Sequence, residues 1–379
     1  MRPYHADPEY YEGRAEGLLA SANDGTGDAL AAFARHDAPL TIEGARRVLA
    51  REHGFADWGA LEEHLTTIDD DPFVRAYRAV EAHDLEALRG VLAAHPDVVA
   101  VEGTNGNDLL GMASATCDAR LVEVLLERGA DVTRANVHGW TPLHQAAYSD
   151  LPVMAGMLLD AGAAIDAEAR GDGGTPLVVA LFWGNRTIAE LLAERGLHPR
   201  NLRTAAGVGD LELIEAVLAD GTAGDHRGFY RPHGGFPAWR PSDDAQEVLD
   251  EALAWAARND RAEALAALVE RGADVAADVY RGTALSWAAA CGCVAAIHRL
   301  VGLGAEPNQR TTFGGPDHGD RTTALHLAAQ AGKLDAVRAL LALGADPTAK
   351  DDIHGGTPAG WAHFGGRHDA VELLREHGG

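Results

Sequence analysis

The sequence predicts an all-α solenoid: about eight or nine stacked helix pairs behind a small helical N-terminal module. Three observations carry this. Thr175-Pro176-Leu177 follows Thr141-Pro142-Leu143-His144 by 34 positions, and Thr357-Pro358 follows Thr323-Ala324-Leu325-His326 by the same 34. A helix-ending motif recurs in phase as Gly129-Ala130-Asp131-Val132, Gly272-Ala273-Asp274-Val275, Gly304-Ala305 and Gly344-Ala345-Asp346. Each unit between these marks reads as turn, helix, turn, helix, and buries its apolar faces only against a neighbour.

The stretch 137–170 shows the unit most clearly. Thr141 is placed to cap a helix, and Pro142 falls at the first helical position, where its missing N–H costs nothing. Ala146 and Ala147 make that helix thin. The second helix presents Met154, Met157 and Leu158, and Gly162 stops it in the left-handed conformation. Residues 1–70 lack this period. Helices are expected near Glu9–Ala20, Asp28–Arg35, Ile42–His53 and Asp57–Thr67, with Thr41 and Asp57 as caps and Gly54 ending the third. Val48, Leu49, Phe55, Trp58, Leu61 and Leu65 supply an apolar set for a module that covers the first repeat's open face.

On the Thr-Pro-Leu-His motif and its period, the chain resembles the ankyrin-repeat family. The resemblance covers roughly residues 71–379 and implies an ankyrin-repeat solenoid. Segment 45–65 resembles a helical module that precedes ankyrin arrays in actinobacterial proteins, and two lysines among 32 basic residues suit such a bacterial origin. By phase, 71–103 is a degenerate first repeat, followed by 104–136, 137–170, 171–201 and a shortened 202–220. Residues 221–247 then interrupt the array, repeat six resumes at Val248, and repeats seven and eight span 280–312 and 313–352. The eighth opens with a shorter insertion near FGGPDHGDRTT, and the last repeat is 353–379.

Composition narrows the partners. Against 32 basic residues stand 57 acidic ones, a net charge of −25. Binding to nucleic acid or an anionic membrane surface relies on Lys and Arg neutralising phosphates, so neither is expected. Three cysteines without disulfide or zinc spacing point to a reducing, cytoplasmic setting. No apolar run approaches the length of a membrane span, and the N-terminus lacks a secretory signal's apolar core. There is no Walker A loop, no G-x-S-x-G elbow and no H-E-x-x-H. Neither metal nor cofactor is expected, and catalysis is left undecided.

In ankyrin arrays the turns and first helices line a concave groove, and residues just after the Ala-Ala pair point into it. Carried over by phase, those positions are Tyr148-Ser149, Phe182-Trp183, Arg258-Asn259, Ala290-Cys291 and Gln330-Ala331, joined by His138 and Trp140. Trp140, Tyr148, Phe182 and Trp183 are therefore expected as a solvent-facing aromatic wall; the alternative is that the N-terminal module or the insertion buries them. The 221–247 insertion is too long for a turn and too aromatic for disorder. It offers Tyr230, Arg231, His233, Phe236, Trp239 and Arg240 as binding residues; the alternative is a structural plug that replaces the fifth repeat's missing contacts. Asp225, His226 and His233 could meet Asp317 or His318 of the second insertion, although no spacing demands it. Trp255, Trp287 and Trp361 share one phase and are expected as core, and His144 and His326 as ties between neighbouring turns. The expected function is recognition of a partner protein or peptide in the groove. The second reading is a small-molecule site, or a metal-independent enzyme, between insertion and wall.

Overall fold

The computed structural model describes residues 3, 5–103, 106–169, 174–196, 201–219, 244–279, 282–312, 321–352 and 354–379. The inserted residues 221–243, and with them all six expected binding residues of the insertion, lie outside these, as do Asp225, His226, Asp317 and His318. The chain forms two compact units, Met1–Ala146 with Val153–Ala164, and Ala147–Pro152 with Ile165–Gly379.

The first unit opens with α1 (Pro8–Asn23), α2 (Gly27–Arg35), α3 (Ile42–Glu52) and α4 (Trp58–Leu65). Thr41 accepts from the Gly44 N–H and Asp57 from the Ala60 N–H, satisfying donors that a helix start leaves orphaned. Ala15, Phe33, Val48 and Leu49 make one small core. Tyr11, Leu61, Leu65 and Ile68 make another together with Val74 of α5 (Pro72–Glu81). Helices α6 (Leu85–Ala94), α7 (Leu109–Ala115), α8 (Ala119–Glu127), α9 (Pro142–Tyr148) and α10 (Pro152–Asp160) continue the chain, the end of α9 and Pro152 belonging to the second unit.

The second unit carries α11 (Pro176–Trp183), α12 (Arg186–Glu194), α13 (Leu202–Val208), α14 (Leu211–Ala219), α15 (Ala245–Arg258) and α16 (Ala262–Glu270). It ends with α17 (Ala284–Cys291), α18 (Val294–Gly302), α19 (Ala324–Gln330), α20 (Leu334–Ala342), α21 (Pro358–Phe364) and α22 (His368–Glu376). Counted from α5, the described residues thus make nine helix pairs. Among them there is no β-strand, and an isolated bridge joins Thr311 to Thr322.

One backbone device repeats in all nine pairs. Between the two helices stands a residue with φ from 52° to 83°: His83, Cys117, Asp150, Gly184, Gly209, Asp260, Gly292, Gly332 and Gly366. A left-handed residue turns the chain sharply enough to lay the second helix back on the first. For a residue with a Cβ it costs about 1 kcal/mol. Asp260 offsets that cost by accepting from the Ala296 N–H at 2.8 Å and from Arg186 at 3.0 Å.

Helix α15 starts three residues earlier than the sequence suggests and takes in Ala245, Gln246 and Glu247. Asp244 caps it at the Gln246 N–H. Gln246 Nε2 then donates to Asp250 Oδ1 and to the Gly272 carbonyl, so the extra turn is tied to the end of α16. The histidine of the repeat signature behaves as expected at His326. Its Nδ1 faces Thr323 Oγ1 at 2.9 Å, and Nε2–H donates to the Gly356 carbonyl of the next turn at 3.1 Å.

Candidate functional site

The seed of the site is the thinness of pair five. Its first helix, α13, buries Ala205, Ala206 and Gly207, and Leu181 of α11 lies against the Cα of Gly207. With so little side chain in between, pair six reaches past pair five to pair four. Gly184 records how close they come: a Cβ there would stand 2.6 Å from the Arg258 carbonyl oxygen and 2.8 Å from Cys291 Sγ. Two ion pairs follow the same route, Arg186 to Asp260 at 3.0 Å and Arg261 to Glu190 at 2.9 Å.

This approach buries a cation among aromatic rings. Arg258 is 1% exposed, and its guanidinium carbon lies 3.8 Å from the Trp287 ring centroid, 4.8 Å from Phe182 and 5.7 Å from Trp255. Ring faces carry negative potential, so a desolvated guanidinium gains from each. Its Nη1–H donates to the Phe182 carbonyl at 2.8 Å and Nε–H to the Ala254 carbonyl at 3.3 Å. Nearby, Arg203 Nη1 bridges both oxygens of Glu251 at 3.1 and 3.2 Å, with both side chains buried. Burial pushes the Glu251 carboxyl up, and the charges of Arg203 and Arg258 oppose that shift.

Phe182 is therefore not on a solvent-facing wall: it is 1% exposed and part of the packing around Arg258. Arg258 and Asn259, also placed at solvent-facing positions by phase, are buried as well. Their cover comes from residues far along the chain, which local pattern does not report. The signal that was legible is Trp255 and Trp287 at one phase, with Arg258 one helical turn after Trp255. Trp255 and Trp287 are core as expected, whereas Trp361 is half-buried and donates its Nε1–H to Asp351 at 3.0 Å.

Tyr148 and Trp183 remain half-buried. Their rings meet edge to face at 5.4 Å and 90°, and Trp183 meets Phe182 at 5.2 Å and 80°. Asn185 Nδ2 donates to the carbonyls of Ala147 and Tyr148, both at 2.9 Å, and holds the two backbones together. The result is an aromatic pair set on a buried foundation. In the first unit, Trp140 is half-buried, donates Nε1–H to Gln145 at 3.2 Å and lies 5.2 Å from the His144 ring; His138 is exposed.

Chemistry is sparse around this pair. Burial raises the thiol of Cys291 and pushes that of Cys293 up to about 12, so both stay protonated and weakly nucleophilic near neutrality. Among the described residues no group of three or more His, Cys, Asp or Glu is placed to hold a metal ion. Among the same residues no helix is long and apolar enough to cross a membrane.

Nine helix pairs among the described residues, each turned by a left-handed residue, define an α-solenoid repeat protein. The family model described as ankyrin repeats (3 copies) matches residues 77–169, 110–203, 202–311 and 312–379, and the chain belongs to the ankyrin-repeat family. It is also similar to the human transient receptor potential cation channel subfamily A member 1, at 34% identity over 71 residues. That match covers 19% of this chain and 6% of the channel's length. Ankyrin repeats generally mediate protein–protein binding.

Proposed function

We propose that this chain is a recognition protein that binds a partner protein or peptide at the Tyr148–Trp183 edge of its second unit. The observation that supports the reading most directly is the half-buried edge-to-face pair on a buried aromatic and arginine foundation. Rigid aromatics that are part covered and part available bind at low entropic cost, and such residues dominate interface energetics. The insertion, through Tyr230, Arg231, His233, Phe236, Trp239 and Arg240, is proposed to complete the edge, and Trp140 to supply a contact of its own in the first unit. Phe182 is proposed to serve from beneath as support. A reducing, cytoplasmic setting is part of the proposal, and the three free thiols support it.

A second reading is a small-molecule site at the same edge. The half-buried Tyr148–Trp183 pair supports it, since ligand sites are lined largely by aromatic and apolar side chains. One experiment separates the two. Tagged protein is incubated in native lysate, and everything retained, proteins and small molecules alike, is identified by mass spectrometry. Tyr148→Ala with Trp183→Ala should lose the retained protein at least about tenfold, as expected for hot-spot aromatics. Phe236→Ala with Trp239→Ala should weaken it as well. Retention of the same proteins by both double variants would overturn the recognition reading, and a small molecule lost in their place would install the second.

A further inference from the structure

We infer that Arg258 is the positioning residue of the binding edge, holding the end of α11 on which Trp183 stands. The inference rests on the binding role proposed for Tyr148 and Trp183 and adds what fixes them.

A helix leaves its last carbonyls without intrahelical donors, and the end frays unless other groups meet them. Trp183 is the last residue of α11, so its ring can be no better placed than that last turn. Here side chains from the distant pairs six and seven reach three consecutive carbonyls. Asn259 Nδ2 donates to the Leu181 carbonyl at 2.9 Å, and Arg258 Nη1 to the Phe182 carbonyl at 2.8 Å. Cys291 Sγ faces the Trp183 carbonyl at 3.8 Å. These partners lie 78, 76 and 108 positions away in sequence.

Of the three, the guanidinium is the strongest donor and the best anchored. It is planar, so one face packs on Trp287 while its in-plane N–H still points at the Phe182 carbonyl. A lysine ammonium has the charge without that plane, and an apolar isostere has the bulk without the donor. Arg258 belongs to α15, whose register is set by its capped, lengthened start at Ala245, so the same helix fixes where its C-terminal guanidinium falls.

Cys291 makes the idea measurable, because its half-buried thiol is packed against the Gly184 backbone that the clamp holds down. The experiment uses the full chain with Cys117→Ser, which removes the exposed thiol. N-ethylmaleimide labelling of Cys291 and hydrogen exchange over 181–186 are followed by mass spectrometry. Arg258→Met, which keeps volume, should stay folded yet label Cys291 at least about tenfold faster. Loss of one charge-assisted hydrogen bond changes a local opening equilibrium by roughly that factor. Arg258→Lys should not restore slow labelling. In Arg258→Ala, methylguanidinium should restore it and methylammonium should not; this arm also serves if Arg258→Met fails to fold. Unchanged labelling and exchange in Arg258→Met, or absence of rescue by methylguanidinium, would reduce Arg258 to core filling and overturn the inference. The binding role fails separately, through partner retention by the Tyr148 and Trp183 double variant. With that role intact, Arg258→Met should lose the same partner that the double variant loses.

Discussion

His53 shows how one buried residue sets a pH response. It is 7% exposed, donates Nδ1–H to the Leu49 carbonyl at 2.8 Å and lies edge-on to Tyr11. Burial lowers its pKa from the ordinary 6.5 to about 4. The unfolded chain therefore takes up this proton before the folded one does. Stability from the neutral ring is complete above the unfolded pKa and is lost as pH falls through the folded value. Between pH 6.5 and about 4, wild type should lose about 1.4 kcal/mol more per pH unit than His53→Gln. Urea melts of both proteins at several pH values measure that difference, which also cancels His326, shifted the same way by burial. Parallel curves would mean that water reaches His53 in the native state.

At the scale of elements, each helix pair is stabilised mainly by its neighbours, so core leucines in the repeat signature should be costly to truncate. Leu325 in α19 and Leu143 in α9 are fully buried. Replacing either by Ala should cost roughly 2–5 kcal/mol in denaturant melts. A loss below half of that would show that the neighbouring helices collapse into the space. Most element boundaries were readable because they are written in local chemistry: Thr41 and Asp57 as caps, Gly162 as a stop with φ +96°. Helix α15 was misjudged at its start for a physical reason. Its first turn is held by Asp250 and the Gly272 carbonyl, and the latter lies 26 positions away.

For the whole molecule, the net charge of −25 sets the dominant long-range term. Like charges on a folded chain repel, and salt screens that repulsion beyond about 10 Å at 0.1 M. The melting temperature should therefore rise when NaCl goes from roughly 20 to 200 mM. A fall would mean that surface pairs such as Arg186–Asp260 and Arg310–Asp352 outweigh the net repulsion.

The sequence by itself determined the repeat period, the order of helices, the caps and stops, and the family, because these are properties of contiguous residues and their spacing. It also marked Tyr148 and Trp183 by phase. Only the tertiary structure decided that Phe182 and Arg258 are buried. That outcome depends on the small side chains of α13, which let pair six close on pair four and bring a guanidinium to a carbonyl 76 positions away. Periodicity places a residue on a face of its own helix; what covers that face is decided by packing between distant ones.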